Sequence, residues 1–135
     1  MQLTHENLRR FLEYHGIEAE LVEFPHSVVR SSDASEQVRD GVVIKSVVLM
    51  VDDKVVIAIL RGCDKVSLQR VAEVLGAKEV RLARAKEVKQ RVGYDIGGVP
   101  PFGHLKRFLT LVDERVKELK DSILYAGGGS HRHLL

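Results

Sequence analysis

The chain has little of several features that would place it in a special class of protein. It contains one cysteine, Cys63, which excludes an intrachain disulfide framework and fits a reducing compartment. No apolar run approaches the roughly 20 residues of a membrane span, and the charged N-terminal stretch lacks the apolar segment of a signal peptide. These absences predict a cytoplasmic protein with no membrane partner.

A large excess of charge of one sign is also missing. The 21 Lys and Arg residues face 19 Asp and Glu residues, which gives a net charge of +2. This balance does not favour a protein that coats nucleic acid with a broad basic face, but it permits a polyanion to be held locally by a few groups. The length of 135 residues and an apolar content of 44% predict one globular domain over residues 1–135.

The clearest predicted element is a central hairpin. Residues 42–51 are rich in β-branched side chains and apolar on both alternating faces, as in a strand buried on both sides. Asp52 and Asp53 predict a turn, and residues 55–60 return as a second apolar strand. The rest of the pattern predicts an α+β fold with a curved, barrel-like mixed sheet and helices around it. Further helices are predicted at 4–15, 31–38, 67–75, 85–92 and within 113–120, and further strands at 20–24, 80–82, 108–112 and 123–126.

Lys45 stands in the middle of the first apolar strand. An ammonium buried there is costly unless it reaches water, a carboxylate or a ligand. Two interpretations stay open from the residue alone. Either the side chain extends to solvent near the strand end, or it points into a pocket, which we expect to be the largest of the molecule, and holds an anion or polarises a carbonyl. Ser46 is expected on the opposite face of the strand.

Glycine and proline, the residues with unusual backbone conformations, are concentrated in residues 93–104, GYDIGGVPPFGH. They hold four of the eleven glycines and two of the three prolines. Such a segment can be a structural connection between a helix and a strand, or a rigid wall with few side chains that a ligand approaches closely. Ordered loops of about a dozen residues are more often functional. The spacing fits neither a phosphate loop nor a dinucleotide-binding fingerprint.

A second glycine cluster, AGGGSHRHLL, follows the last predicted strand. Its three consecutive glycines expose backbone N–H groups that can bind a phosphate or carboxylate. His131 and His133 would share one face of a strand, but the local spacing supplies no third ligand, so no metal site and no cofactor are predicted. Cys63 lacks a nucleophile motif, and no Gly-x-Ser-x-Gly elbow is present.

In this order, these segments resemble the YbaK/EbsC family of aminoacyl-tRNA deacylases, whose relatives include the editing domain of bacterial prolyl-tRNA synthetases. The resemblance covers roughly residues 22–135. Its most specific part is GY-x-x-GG-x-x-P-F-G, downstream of an apolar strand that carries a lysine. The matching stretches are VVIKSVVLMV, VVIAILRGCDKVSL, EVRLARAKEV, VGYDIGGVPPFGH, FLTLVDERV and ILYAGGGSHRHLL.

The resemblance implies hydrolysis of the ester that joins a wrong amino acid to the 3′ end of a tRNA, with the tRNA acceptor end as partner and prolyl-tRNA synthetase as a candidate second partner. It makes Lys45 the catalytic residue. Ser46 stands where Thr or Asn is common in relatives, which leaves the amino-acid selectivity open. The implied substrate-binding residues are Ser46, with Tyr94, Gly97, Gly98 and Pro101 on one wall of the pocket, and Gly127, Gly128, Gly129 and His131 on the opposite wall.

Three functions remain as hypotheses. The first is a free-standing deacylase that removes a small amino acid from tRNA-Pro, in which Lys45 favours the developing oxyanion and water or a substrate group is the nucleophile. The second is a non-catalytic module that binds tRNA 3′ ends or aminoacyl-adenosine. The third is an interaction domain that kept only the fold. Basic residues flanking the long loop are predicted to contact the acceptor stem: Arg81, Arg84, Lys86, Lys89, Arg91, Lys106 and Arg107.

Overall fold

The computed structural model describes residues 2–17, 19, 21–23, 41–119, 122–130 and 133–134. Its helices are short and its two longest strands are adjacent in sequence. In chain order the elements are α1 (His5–His15), β1 (Val22–Glu23), β2 (Val42–Val51), β3 (Lys54–Arg61), α2 (Leu68–Leu75), β4 (Val80–Leu82), α3 (Ala85–Arg91), β5 (Leu109–Val112), α4 (Glu114–Lys117), β6 (Leu124–Tyr125) and β7 (His133–Leu134).

The predicted central hairpin is confirmed. Strands β2 and β3 pair antiparallel in unbroken register from Ile44 opposite Arg61 to Val51 opposite Lys54. The connecting turn is made by Asp52 and Asp53, both with positive φ, a conformation that aspartate tolerates better than most side chains. The hairpin therefore follows directly from two apolar runs separated by two turn-forming residues.

The hairpin is the centre of a mixed sheet of five strands. Strand β5 pairs parallel with β3, β4 pairs antiparallel with β2, and β6 pairs parallel with β2. The two shortest terminal strands, β1 and β7, form a separate antiparallel pair. A mixed sheet with helices around it is confirmed, but the described strands do not close into a barrel, because β5 remains an edge strand.

The helix boundaries follow from capping side chains. Thr4 Oγ1 accepts a hydrogen bond from the N–H of Glu6 at the start of α1, and Ser67 Oγ accepts one from Arg70 at the start of α2. Both starts agree with the helices predicted at 4–15 and 67–75. The predicted helix at 31–38 lies outside the described residues. No helix in the described ranges is both long and apolar enough to cross a bilayer.

Two apolar clusters cover the two faces of the hairpin. Ile44, Val48 and Met50 of β2 face a large cluster that includes Tyr94, whereas Leu49 and Val51 face a smaller one with Val71 of α2. The alternation is that of a regular strand. The predicted burial on both faces holds for the second half of β2. The first half is mostly half-buried, and this difference locates the candidate site.

Candidate active site

The candidate site lies at an interruption in the pairing of β2. One edge of β2 is paired with β3 along nearly its whole length. On the other edge, β6 pairs with Val42 and Val43, and β4 pairs with residues 49–51. Among the described residues, no strand pairs with that edge over residues 44–48. The sheet therefore has a gap on one side of its central strand.

Backbone polar groups of β2 point into this gap. The N–H of Val42 donates to Ile123 and the carbonyl of Val48 accepts from Ala83, so both residues face the β4–β6 edge. Val43 faces the other edge, because its carbonyl accepts from Gly62. Alternate residues of a strand direct their backbone groups to the same edge. The N–H and C=O of Ser46, midway along the gap, therefore point into it.

A cavity of about 280 Å³ occupies the gap. Its walls come from β2, from the end of β4, from the segment that follows β6, from one residue each of α3 and β7, and from the long Gly/Pro loop. Lys45 and Ser46 both line it, as do Gly97 and Gly127. The other lining residues are Val43, Ile44, Val47, Val48, Leu82, Ala83, Val88, Ile96, Val99, Ala126 and Leu134.

The ammonium of Lys45 has a specific partner. Its Nζ donates a 3.4 Å hydrogen bond to the carbonyl of Gly62, in the turn that follows β3. An ammonium has three N–H donors, so this contact leaves two for a ligand. Lys45 lines the cavity as a residue, while its ammonium is hydrogen-bonded on the β3 side of the strand. The carbonyl of Gly62 was missed by the sequence analysis, since nothing in a single glycine after a strand marks it as a partner of Lys45.

Ser46 contributes a polar group with no partner. Its Oγ is buried, and it makes no hydrogen bond among the described residues. Ser46 lies on the face of β2 that carries Ile44 and Val48, opposite to Lys45, as predicted from strand alternation. A buried hydroxyl without a partner is unusual in a native protein. Beside a cavity, it is a candidate contact for a bound ligand.

The two glycine-rich segments form one wall, which corrects the expectation that they face each other across the pocket. The N–H of Gly129 donates a 2.9 Å hydrogen bond to the carbonyl of Gly98. A Cβ on Gly98 would lie 3.1 Å from the backbone N of Ser130, and one on Gly127 would collide with the carbonyl of Val99. These glycines allow two backbones to touch. The cavity lies between this double layer and β2.

Tyr94 supports the loop from inside and does not line the cavity. Its side chain is fully buried, and its hydroxyl donates a 2.9 Å hydrogen bond to the carbonyl of Gly103. Burial raises the pKa of Tyr94 to about 12, so the hydroxyl stays protonated. Tyr94 thus ties the two ends of the Gly/Pro loop together, and its contact with the substrate stays a prediction.

His104 fixes the same loop. Its Nε2 lies 2.7 Å from the carbonyl oxygen of Pro100, so the nitrogen is the donor. Burial lowers the pKa of His104, and the hydrogen bond to Pro100 opposes this shift only in part. Together with Tyr94, this bond makes the loop a rigid wall.

Several other predicted residues lie behind the wall. The N–H of Gly128 donates to the carbonyl of His133 in β7, and Gly129 packs against the backbone of His5. Gly98 and Pro101 belong to the loop but are not among the described cavity-lining residues. His131 lies outside the described residues. Strand β7, which the sequence analysis did not predict, thus supports the glycine segment.

The cavity beside Lys45 is not the largest concavity, contrary to the expectation. A shallower cleft of about 700 Å³ lies between α2, β5 and α4, where it is lined by Lys65, Arg70 and Arg115 among others. The smaller cavity is the better candidate for chemistry because Lys45, backbone groups directed into it and both glycine segments line it. In the described part of the chain, no three His, Cys, Asp or Glu side chains converge on a point that could hold a metal ion.

Known sequences resemble this chain over most of its length. Prolyl-tRNA ligase of Bacillus subtilis is 33% identical over 97 residues, which cover 72% of this chain but 17% of the ligase. The chain spans about a sixth of the length of the prolyl-tRNA ligases that it first matches. EbsC of Enterococcus faecalis, described as a candidate Cys-tRNA(Pro)/Cys-tRNA(Cys) deacylase, is 28% identical over 127 residues, which cover 90% of this chain and 77% of EbsC.

A solved structure shares the fold. The crystal structure of a candidate trans-editing enzyme for prolyl-tRNA synthetase matches with a TM-score of 0.85 and 26% identity, over 96% of this chain and 83% of that one. The model of the aminoacyl-tRNA editing domain matches residues 26–135, which include the lysine strand and both glycine segments. The chain therefore belongs to the aminoacyl-tRNA editing domain family.

Proposed function

We propose that this protein is a trans-editing deacylase, and that residues 1–135 act as one editing domain. It would hydrolyse the ester that joins a wrong amino acid to the 3′ end of a tRNA. The proposal is supported by the cavity at the gap in the sheet, which Lys45, Ser46 and the glycine wall line, in a chain of the editing family.

The lysine supplies electrostatic stabilisation in this scheme. Water, or a hydroxyl of the terminal ribose, adds to the ester carbonyl carbon and negative charge develops on the carbonyl oxygen. The Lys45 ammonium, held by Gly62, directs its remaining donors to that oxygen. The carbon–oxygen bond to the ribose then breaks, and the leaving oxygen takes a proton. Attack by water gives the free amino acid directly, whereas an ester formed by a ribose hydroxyl still has to be hydrolysed.

The size of the cavity favours a small amino acid. About 280 Å³ is near the lower end of ligand pockets, which range from about 300 to 1,000 Å³. The walls are mainly apolar side chains and glycine backbone, and the buried Oγ of Ser46 offers one polar contact. We propose alanine, serine or cysteine as the amino acid removed. The names of the relatives support tRNA-Pro as the tRNA and prolyl-tRNA synthetase as the partner enzyme in the cytoplasm.

The alternative is a module that binds the aminoacylated end without turnover. Single-turnover deacylation, with enzyme in excess over tRNA-Pro charged with alanine, serine, cysteine or proline, separates the two functions. The proposal expects release of a small non-cognate amino acid well above the uncatalysed rate, and slower release of proline. Saturable binding of the same tRNAs with no release above the uncatalysed rate would favour the binding module.

A further inference from the structure

The Gly62 carbonyl that binds Lys45 belongs to a turn closed by an ion pair. The N–H of Asp64 donates to the carbonyl of Arg61 at 3.0 Å. The Arg61 guanidinium donates two hydrogen bonds to the Asp64 carboxylate, from Nε at 2.7 Å and from Nη2 at 3.0 Å. Such a bidentate pair fixes the relative orientation of both groups. It therefore holds both ends of the turn in which Gly62 lies.

A second arginine ties the turn to α4. Arg115 Nη1 donates to Asp64 at 3.3 Å, and its Nε and Nη2 each donate to Asp113 at 3.2 Å. The Asp64 side chain is 11% exposed, whereas that of Arg115 is 50% exposed. The hydrogen bonds from Arg61, together with the nearby Arg115, lower the pKa of Asp64, so the carboxylate stays ionised. Asp64 is the group on which both arginines converge.

The backbone of Gly62 connects this network to β2 at two points. Its N–H donates to the carbonyl of Val43 at 2.8 Å, and its carbonyl accepts from Lys45 Nζ at 3.4 Å. The Gly62 carbonyl lies in one planar peptide unit with the N–H of Cys63, between Gly62 and Asp64, so its direction follows the conformation of the turn. If the turn relaxes, the acceptor moves away from the ammonium. No direct contact between Asp64 and Lys45 is required.

We infer that Asp64 is a positioning residue for Lys45, acting through the Gly62 carbonyl. The pair with Arg61 and the contact with Arg115 keep the turn in the arrangement in which the Gly62 carbonyl accepts from the ammonium. The kinetic consequence of this inference rests on the proposed function. Its structural consequence, a fixed hydrogen bond to the Lys45 ammonium, does not depend on which reaction the site performs.

The kinetic test uses Asp64→Asn, which keeps the shape and removes the charge. We expect the single-turnover rate constant to fall about 10-fold, within the roughly 100-fold that a 1 Å misplacement of a reacting group can cost. The enzyme concentration at half-saturation should stay unchanged. Asp52→Asn is the matched control, since the Asp52 carboxylate accepts hydrogen bonds from Lys78 and Glu79 at the other end of the hairpin. It should keep the wild-type rate constant.

The spectroscopic test follows the ammonium directly. In protein labelled with ¹⁵N-lysine, the Lys45 signal is assigned from its loss in Lys45→Arg. We expect slowed hydrogen exchange of the Lys45 ammonium in the wild type and in Asp52→Asn, and faster exchange in Asp64→Asn. A folded Asp64→Asn protein with the wild-type Lys45 signal and rate constant would overturn the inference.

Two outcomes need a second variant or readout. If Asp64→Asn does not fold, Arg115→Gln, which leaves the pair of Arg61 and Asp64 in place, decides by the same measurements. We expect the rate constant and the exchange of the Lys45 ammonium to change less than in Asp64→Asn. Wild-type values of both would again contradict the inference. If the wild type hydrolyses none of the charged tRNAs, the proposed function fails, while the exchange of the Lys45 ammonium still tests the role of Asp64.

Discussion

An ammonium in an apolar strand needs a partner, and for Lys45 that partner is a backbone carbonyl 17 residues further along the chain. The cost of burying the charge is visible in the sequence, so Lys45 could be singled out without a structure. The partner could not, because its position depends on the register between β2 and β3. Ser46 is a similar case: its face was predictable, but the missing partner of its Oγ was not.

Lys45→Ala is expected to remove most of the deacylation while leaving the fold intact. Loss of one donor to a developing oxyanion costs about 10²–10³ in rate. The measurement is the single-turnover rate constant on the best mischarged tRNA, together with the circular dichroism spectrum. Lys54→Ala is the control, since Lys54 is exposed at the start of β3 and should keep full activity. A Lys45→Ala rate close to that of the wild type would refute the assignment.

Ser46→Ala and Ser67→Ala are expected to change the free energy of unfolding in opposite directions. Ser46 Oγ is buried without a partner, so its removal should stabilise the unliganded protein by about 1 kcal/mol, the scale of one unmet hydrogen bond. Ser67 Oγ caps α2, so its removal should cost about 1 kcal/mol. Urea denaturation measures both. A clear loss of stability in Ser46→Ala would mean that the hydroxyl has a partner in solution.

At the scale of elements, the sequence predicts the limits of long periodic segments better than those of two-residue strands. The hairpin, α1 and α2 carry enough periodicity and capping for their limits to be predicted within a residue or two. Strands β1 and β6 are two residues long and lie within the strands predicted at 20–24 and 123–126, whereas β7, also two residues long, was not predicted. The gap beside β2 arises from where β4 and β6 end, and the contact between the glycine segments depends on tertiary packing, so neither could be predicted.

The contact between the glycine segments predicts that Gly98→Ala destabilises the protein. The new Cβ would lie against the backbone of Ser130, and overpacking of this kind costs about 1–3 kcal/mol. Amide exchange at Gly129, whose N–H binds the Gly98 carbonyl, should also become faster. Gly76→Ala is the control, because that glycine has open space and only a positive φ. Gly76→Ala should lose some stability without faster amide exchange at Gly129. Unchanged exchange at Gly129 in Gly98→Ala would contradict the contact.

The loop that carries His104 should lose stability as the pH falls. Burial places the pKa of His104 below its ordinary value of 6.5, so the unfolded chain binds the proton more readily than the folded one. The contribution of neutral His104 to the free energy of unfolding is complete above pH 6.5. It declines as the pH drops from 6.5 through the folded-state pKa. Urea midpoints between pH 7.5 and 5 should fall less steeply in His104→Gln than in the wild type or in His15→Gln, which alters an exposed histidine. Equal slopes would show that His104 is not the group responsible.

At the scale of the whole molecule, the small net charge of +2 leaves tRNA recognition to a few placed residues. Of the seven basic residues predicted to contact the acceptor stem, three interact with other groups of the protein. Arg81 forms a bidentate pair with Glu87, Lys89 lies 3.8 Å from Asp95, and Arg91 donates to the carbonyl of Asp53. Among the described residues, the other four form no ion pair. Lys86 on α3 and Lys106 and Arg107 just after the Gly/Pro loop are exposed, and both of these elements contribute residues to the cavity wall.

These three residues predict a modest, local salt dependence of tRNA binding. Each phosphate contact contributes roughly one unit to the slope of log affinity against log salt. Replacing Lys86, Lys106 and Arg107 by alanine should therefore weaken tRNA binding at low salt and lower the slope by about two to three units. The matched variant replaces Lys65, Arg70 and Lys117 on the larger cleft and should leave both unchanged. If the slope falls in the Lys65, Arg70 and Lys117 variant instead, the acceptor stem binds at the larger cleft. The slope falls only when residues that contact phosphates are removed.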